Sequence, residues 1–517
     1  MALALLAGVV GTTWALVPAV RAERVAAEAT EARRQAAIAE AVNDFLNVDL
    51  LAAVAPSARK GQGRDVTMRE ALAAAAERLE KDSRGGQRFA EEPLVEAEIR
   101  NAIGYAYREL GDFPAAEPHL QRALELRRRA LGDAHRRTLH AMNQLGLLYF
   151  AMGRLADAEP LVRGTYETGR RTLGEDHEDT VAYEMNLANL VRKQGRFKDA
   201  EPIYEHNLAL RRRRFGPEDP GTFDTMANLA NTYQETGRYE KAEALHREVF
   251  ETNRRLRGEK DLGTIAAINN LANDLALMGR LEEAAPLTQQ ALDLKDEIYG
   301  PEHPSTLNSV NNLGELNDEL GRDAVAEALH RRALEGRRRV LGPDHARTLS
   351  SVKCLAANLS AQGRFAEAER LAADGAARAA RALGAADLDT LYLRDAHAEA
   401  LTGLGRYADA EKELRAVLAV LAGRKAKGED AGEGDALAGD ASVHLGMVLA
   451  RQRRWAEAEP LLVEHVPRMP AHEARSKRAA RFVADFYAEW SSVAKDASVA
   501  GRAAEWRKRF AAPRAGS

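Results

Sequence analysis

Apolar residues recur along this chain at the spacing of an amphipathic helix. Between Thr222 and Gly237 they are spaced i, i+3, i+4 and i+7, which places them on one helical face. These residues are Met226, Leu229, Ala230 and Tyr233. Gly237 then predicts a helix end, because a glycine just past the last turn readily adopts the left-handed conformation. A second stripe follows and ends before Gly258, so the pattern predicts a helical hairpin.

The hairpin pattern repeats at one fixed interval of 42 residues. Glycines mark the predicted turn inside each hairpin at Gly111, Gly153, Gly195, Gly237, Gly279, Gly321, Gly363 and Gly405. Threonines keep the same interval at Thr138, Thr180, Thr222, Thr264, Thr306, Thr348 and Thr390. Repeats of this length predict a solenoid, in which each unit buries its apolar face only against its neighbours. No segment alternates as a strand does, so the predicted fold is all-α.

Composition narrows the possible functions of such a solenoid. Among 517 residues, 29% are charged and the formal net charge is −4. This balance argues against nucleic-acid binding, which needs a basic face to neutralise phosphates. Cys354 is the only cysteine, so neither an intrachain disulfide nor a cysteine zinc site is expected.

The N-terminal region predicts a membrane segment. Residues 2–20 carry no charge and just reach the length needed to cross a bilayer, so 1–21 is predicted as a transmembrane anchor, with a cleaved signal peptide as the alternative. Residues 22–92 are predicted as juxtamembrane helices, the second of which begins at a capping box formed by Thr67 and Glu70. The resulting expectation is a single-pass membrane protein.

Two departures from the repeat occur near the C-terminus. The turn position of the ninth unit comes 48 residues after the preceding one, because a Gly-rich and charged stretch intervenes; residues 423–436 are predicted as a flexible insertion. Residues 467–517 are predicted as helices that cap the end of the stack. Phe482, Phe486 and Trp490 form the apolar side of one of them.

The motif N-L-A-N-x-Y-x-x-x-G-R-Y-x-x-A-E at Asn228–Glu243 resembles the tetratricopeptide repeat. The 42-residue length and the loop G-P-E-H-P-S-T at Gly300–Thr306 resemble its kinesin-light-chain-like version. The resemblance covers residues 93–466 as nine units and implies a right-handed superhelical solenoid. It also implies a protein-interaction scaffold with a protein or peptide partner.

A second resemblance extends from the N-terminal apolar segment into the repeats. The order of apolar segment, Ala39–Pro56, Gly63–Glu80 and repeats is similar to the C-terminal half of planctomycete-type membrane-anchored serine/threonine kinases. No Gly-rich phosphate loop, H-R-D or D-F-G motif occurs, so kinase chemistry is not expected. The resemblance implies a sensor half of a truncated or split kinase as the alternative function. In that topology the repeats lie outside the cytoplasm.

Four loop histidines invite a metal interpretation. His135, His177, His303 and His345 each lie three residues before a repeat threonine. Aspartates occupy the same position in other units, and this alternation favours helix capping over metal binding. The sequence offers no combination of a nucleophile, a general base and groups that would stabilise an oxyanion. The chain is therefore predicted not to be an enzyme and to use no cofactor, metal or small-molecule substrate.

Asparagines at fixed first-helix positions are the predicted binding residues. They occupy the fifth, sixth or ninth position after the repeat threonine: Asn186, Asn189, Asn228, Asn231, Asn269, Asn270, Asn273, Asn311 and Asn312. The family resemblance implies that such positions line a concave groove and hold an extended peptide. An amide supplies both a donor and an acceptor, as a peptide backbone requires. The alternative is that some of them hold neighbouring repeats together.

Overall fold

The computed structural model describes residues 67–85, 92–428, 432–469 and 474–494, with residues 499, 501, 502 and 504. The chain divides into two compact units, 1–236 and 237–517, here called unit 1 and unit 2. Within the described residues the regular structure is helical throughout, as the sequence predicts.

Unit 1 contains eight described helices. They are α1 (Met68–Gly85), α2 (Pro93–Glu109), α3 (Phe113–Leu131), α4 (Arg136–Ala151), α5 (Leu155–Thr172), α6 (Glu178–Lys193), α7 (Phe197–Arg214) and α8 (Pro220–Glu235). Consecutive helices pack against each other, so α2–α3, α4–α5 and α6–α7 are hairpins and α8 packs on α7. The predicted capping box at the start of α1 is confirmed: the Thr67 amide donates to the Glu70 carboxylate at 3.0 Å, and the Glu70 amide donates to the Thr67 hydroxyl at 3.3 Å.

Unit 2 contains twelve described α-helices. They are α9 (Tyr239–Arg257), α10 (Leu262–Leu277), α11 (Leu281–Tyr299), α12 (Pro304–Glu319), α13 (Asp323–Leu341), α14 (Ala346–Ala361), α15 (Phe365–Ala382), α16 (Leu388–Gly403), α17 (Tyr407–Ala426), α18 (Glu433–Arg451), α19 (Trp455–His465) and α20 (Ala474–Ala494). The pairs α10–α11, α12–α13, α14–α15, α16–α17 and α18–α19 pack as hairpins. The solenoid of helical hairpins is therefore confirmed.

Each hairpin closes around a small residue on its first helix. A Cβ added to Gly314 on α12 would lie 2.6 Å from the ring of His330 on α13. Gly446 on α18 meets Leu462 on α19 in the same way, at 2.8 Å. Other first helices carry alanine at this repeat position, and Ala272 and Ala356 are both buried. The small residue lets the two helices approach closely enough to exclude water.

The turns follow the predicted glycine register. Gly321, between α12 and α13, has a φ of +70°, in the left-handed region where a Cβ is costly. In the ninth hairpin this turn position carries Arg453, whose φ is +62°. It is the one non-glycine residue with positive φ in the described part of the chain. The glycines therefore recur every 42 residues because each turn places a residue at positive φ.

The capping interpretation of the loop histidines is confirmed. His135, His177, His303 and His345 precede first helices, and each ring nitrogen accepts a backbone N–H at 3.1–3.2 Å. Asp219 caps α8 through the Thr222 amide at 3.0 Å. A buried threonine completes the loop, since the Thr348 hydroxyl donates to the Gly342 carbonyl at 2.8 Å.

Helix α20, the last helix in the described residues whose bounds are defined, packs in two directions. Phe486 of α20 lies 5.7 Å from Trp455 of α19, and the Tyr487 hydroxyl donates to Glu459 at 2.8 Å. The same helix also contacts α18 and α12, the first helix of a hairpin three repeats earlier. Within residues 423–436, which are predicted as a flexible insertion, α17 continues to Ala426 and α18 begins at Glu433.

The predicted single-pass localisation is overturned. No helix among the described residues, which begin at residue 67, is long and apolar enough to cross a membrane. Residues 2–20, on which that prediction was based, lie outside the described residues, as do the predicted juxtamembrane residues 22–66.

Candidate functional site

Asparagines in unit 1 are engaged within the solenoid. Asn186 on α6 donates to the Asn143 side chain on α4 at 2.9 Å, which joins two consecutive repeats. Asn189 accepts from the Tyr204 hydroxyl at 2.6 Å, which ties α6 to α7. Asn228 on α8 donates to the Asp224 carbonyl of its own helix at 2.9 Å, and Asn231 lies half-buried one turn later. Asn186 therefore plays the inter-repeat role that was the alternative interpretation.

Three of the predicted asparagines in unit 2 line one cavity. Asn269 and Asn273 on α10 and Asn312 on α12 contribute to a cavity of about 1110 Å³, here called the unit 2 cavity. Asn273 and Asn312 are exposed, so their amides are accessible. Asn269 uses its amide nitrogen on the Ile265 carbonyl of its own helix at 2.8 Å, which leaves its carbonyl oxygen for other contacts.

The other two predicted asparagines of unit 2 are not part of the cavity wall. Asn270 is half-buried on α10. Asn311 is buried and donates to the Glu315 carboxylate at 2.9 Å. Adjacent residues on a helix are about 100° apart, and of this pair Asn312 alone contributes to the cavity wall.

The cavity continues over later repeats with different residue types. Asp395 on α16 corresponds in the repeat to Asn269, and His444 on α18 follows Asn312 and Cys354 in the same row. The His444 Nδ1 atom lies 2.9 Å and 3.0 Å from the two Asp395 carboxylate oxygens, so the pair links consecutive repeats. This pair was not among the predicted binding residues, because only asparagines were considered at these repeat positions. The 42-residue spacing identifies Asp395 as the residue equivalent to Asn269.

Charged groups in the cavity wall are held by specific neighbours. Burial opposes a charge on His444, but the carboxylates of Asp395, Glu399 and Asp440 together outweigh burial and raise the pKa of His444 to about 10, with Asp395 contributing most. Lys353 lies over the Tyr392 ring, with 4.5 Å between Nζ and the ring centre. His444 and Lys353 therefore both have defined neighbours within the wall.

Cys354 lies in the cavity wall as a neutral thiol. Burial, reinforced by the neighbouring Glu315 carboxylate, raises the pKa of Cys354 to about 12. Its sulfur donates to the Glu315 carboxylate at 3.3 Å. Because the thiolate is the reactive form of cysteine, this environment suits packing and hydrogen bonding, not nucleophilic attack.

The wall combines amides, carboxylates and aromatic rings along successive first helices. Such a surface can pair with backbone and side-chain groups of a bound chain, and its charges carry specificity.

Comparison with protein-family models identifies the repeats. Models described as "Tetratricopeptide repeat" match residues 95–167, 141–201, 179–255, 263–339 and 348–389, more than half of the chain. No curated protein matches the sequence.

Several solved structures share the fold. BtubC (BKLC) from P. vanneervenii is 20% identical, with a TM-score of 0.37 over 54% of this chain and 94% of its own. A putative kinesin light chain with nearly identical repeats, from Podospora anserina, is also 20% identical, with a TM-score of 0.37 over 40% of this chain and 98% of its own. The apo quorum sensor NprR from B. thuringiensis is 14% identical, with a TM-score of 0.50 over 75% of this chain and 99% of its own. At these identities the likeness extends to the fold alone. Together with its 42-residue hairpins, the family match shows that this chain belongs to the tetratricopeptide repeat family.

Proposed function

We propose that the chain is a non-catalytic scaffold that holds an extended segment of a protein partner on the first helices of its repeats. The observation that carries the proposal is the placement of Asn269, Asn273 and Asn312 around one cavity, on two consecutive repeats. An extended peptide presents N–H and C=O groups at regular spacing, and amide side chains satisfy both. Stacked repeats form extended concave surfaces, which suit a segment of this shape.

The proposal also explains why the wall lacks catalytic character. His444 is paired with Asp395, and the thiol of Cys354 is neutral and buried. Neither group is presented as a free nucleophile or base. The alternative function, the sensor half of a split kinase, stays a prediction from resemblance, and no observation on the described residues favours it.

A partner-capture experiment tests the proposed surface. The full chain and a variant with Asn269→Ala, Asn273→Ala and Asn312→Ala are immobilised and exposed to lysate of the source organism. Each lost hydrogen bond should weaken binding by about 0.5–1.5 kcal/mol, so partners retained by the wild type should be depleted on the triple variant.

Gln289→Ala is the matched control, because Gln289 is an exposed amide on the second helix α11 and takes no part in the cavity wall. Circular dichroism verifies that all three proteins are folded. Equal recovery of every partner by the wild type and the triple variant would contradict the proposal.

A further inference from the structure

The residue type at one repeat position changes along the unit 2 cavity. The ninth position after the repeat threonine carries Asn273 on α10, Glu315 on α12, Ala357 on α14 and Glu399 on α16. All four residues line the cavity. Two of the three later repeats thus carry a carboxylate where α10 carries a neutral amide.

Carboxylates outnumber cations over the whole wall. Six acidic residues line the cavity: Glu315, Asp318, Glu319, Asp395, Glu399 and Asp440. Four residues with basic side chains line the same cavity: Lys353, His444, Arg451 and Arg478. Even with His444 protonated, the wall carries an excess of negative charge.

Two cations of the wall contact neighbouring groups of the protein. His444 is bound to Asp395 at 2.9 Å, and the Arg451 guanidinium lies 5.3 Å from the centre of the Phe482 ring. Carboxylates inside a recess with low-dielectric walls act on an incoming cation more strongly than surface carboxylates do.

Aromatic side chains stand beside the acidic residues. Phe365, Tyr392, Tyr407 and Phe482 belong to the same wall, the last of them contributed by helix α20. Such rings receive bulky apolar or aromatic side chains and also stack on guanidinium groups. The cavity volume of about 1110 Å³ exceeds the usual 300–1,000 Å³ of small-ligand pockets, which favours a peptide stretch over a metabolite.

We infer that the unit 2 cavity binds a peptide segment that carries an arginine or lysine next to a bulky apolar residue. This inference rests on the proposed function and specifies the partner by charge complementarity. The basic side chain pairs with carboxylates of this wall, which include Glu315 and Glu399, and the apolar side chain packs on the aromatic rings of the same wall.

Peptide selection on the full chain tests the inference without a known partner. Random dodecapeptides displayed on phage are selected on the wild type and on a double variant, Glu315→Gln with Glu399→Gln. Glu259→Gln is the matched control, because Glu259 is exposed in the loop between α9 and α10 and lies outside the cavity wall. The consensus peptide and a copy with its basic residues replaced by glutamate are then measured by fluorescence anisotropy.

The wild type and Glu259→Gln should enrich sequences with a basic residue beside an aromatic or aliphatic one. The double variant should bind the consensus peptide at least about tenfold more weakly, since each removed carboxylate ends a charge-assisted contact. Glutamine keeps the shape and the carbonyl oxygen, so folding is preserved, and circular dichroism checks this.

Other results separate this inference from the proposed function. The inferred preference for a basic peptide would be overturned if acidic peptides were enriched, or if the double variant bound the consensus peptide as tightly as Glu259→Gln does. The proposed peptide-binding scaffold would still stand in that case. Absence of any enrichment overturns the inference as well. If the asparagine triple variant then also retains every partner, the proposed function fails with it.

Discussion

Gly314→Ala should destabilise unit 2 although alanine is the better helix former. The new methyl group would lie 2.6 Å from Cε1 and 2.8 Å from Nδ1 of His330. His330 is fully buried, and its Nε2 atom lies 2.8 Å from an Asp318 carboxylate oxygen. The ring can yield only by breaking that hydrogen bond or by pushing α12 and α13 apart.

The expected magnitude follows from three terms. Overpacking costs about 1–3 kcal/mol, and loss of the buried hydrogen bond costs about 1–3 kcal/mol. The higher helix propensity of alanine offsets about 1 kcal/mol of this destabilisation. The net destabilisation should therefore be about 1–5 kcal/mol.

Urea unfolding followed by far-UV circular dichroism measures this difference, with Gly423→Ala as the matched control. A Cβ on Gly423, in the last turns of α17, would meet no atom within 4 Å, so this variant should gain up to about 1 kcal/mol. If Gly314→Ala unfolds at the same or higher urea concentration than the wild type, the helix interface yields more easily than this reasoning allows.

Two further predictions concern groups in the unit 2 cavity. Because neighbouring carboxylates, with Asp395 contributing most, raise the pKa of His444 to about 10, the stabilisation is complete below about pH 6.5 and is lost as the pH rises toward 10. Urea midpoints of the wild type should therefore fall more steeply over that range than those of Asp395→Asn, and parallel curves would contradict the assignment. Cys354 should react with iodoacetamide at least about tenfold more slowly in the native protein than in urea, since its pKa is about 12, and equal rates would refute its burial.

The helical hairpins could be predicted from the sequence because their causes are local. Left-handed turns require glycine at positions such as Gly321, and caps require a side chain that accepts a backbone N–H, as His303 does. Both requirements recur with the repeat, so the register is visible in one sequence.

The binding surface could be predicted only in part. Repeat position identified the first-helix asparagines, but the role of each depends on its neighbours. Asn186 bonds to Asn143 in the preceding repeat, and Asn311 turns into the helix interface, while Asn312 beside it faces the cavity. The contribution of Phe482 depends on packing between segments far apart in the sequence, which helical periodicity does not contain.

The double contact of α20 alters how unit 2 resists unfolding. In a solenoid with only nearest-neighbour interfaces, the terminal repeat can fray without cost to repeats farther along the stack. Here α20 packs on α18 and also reaches α12, so its detachment removes support from two repeats at once. The packing of α20 is thereby coupled to the middle of unit 2. Detachment of α20 becomes a cooperative event that exposes the acidic and aromatic wall together.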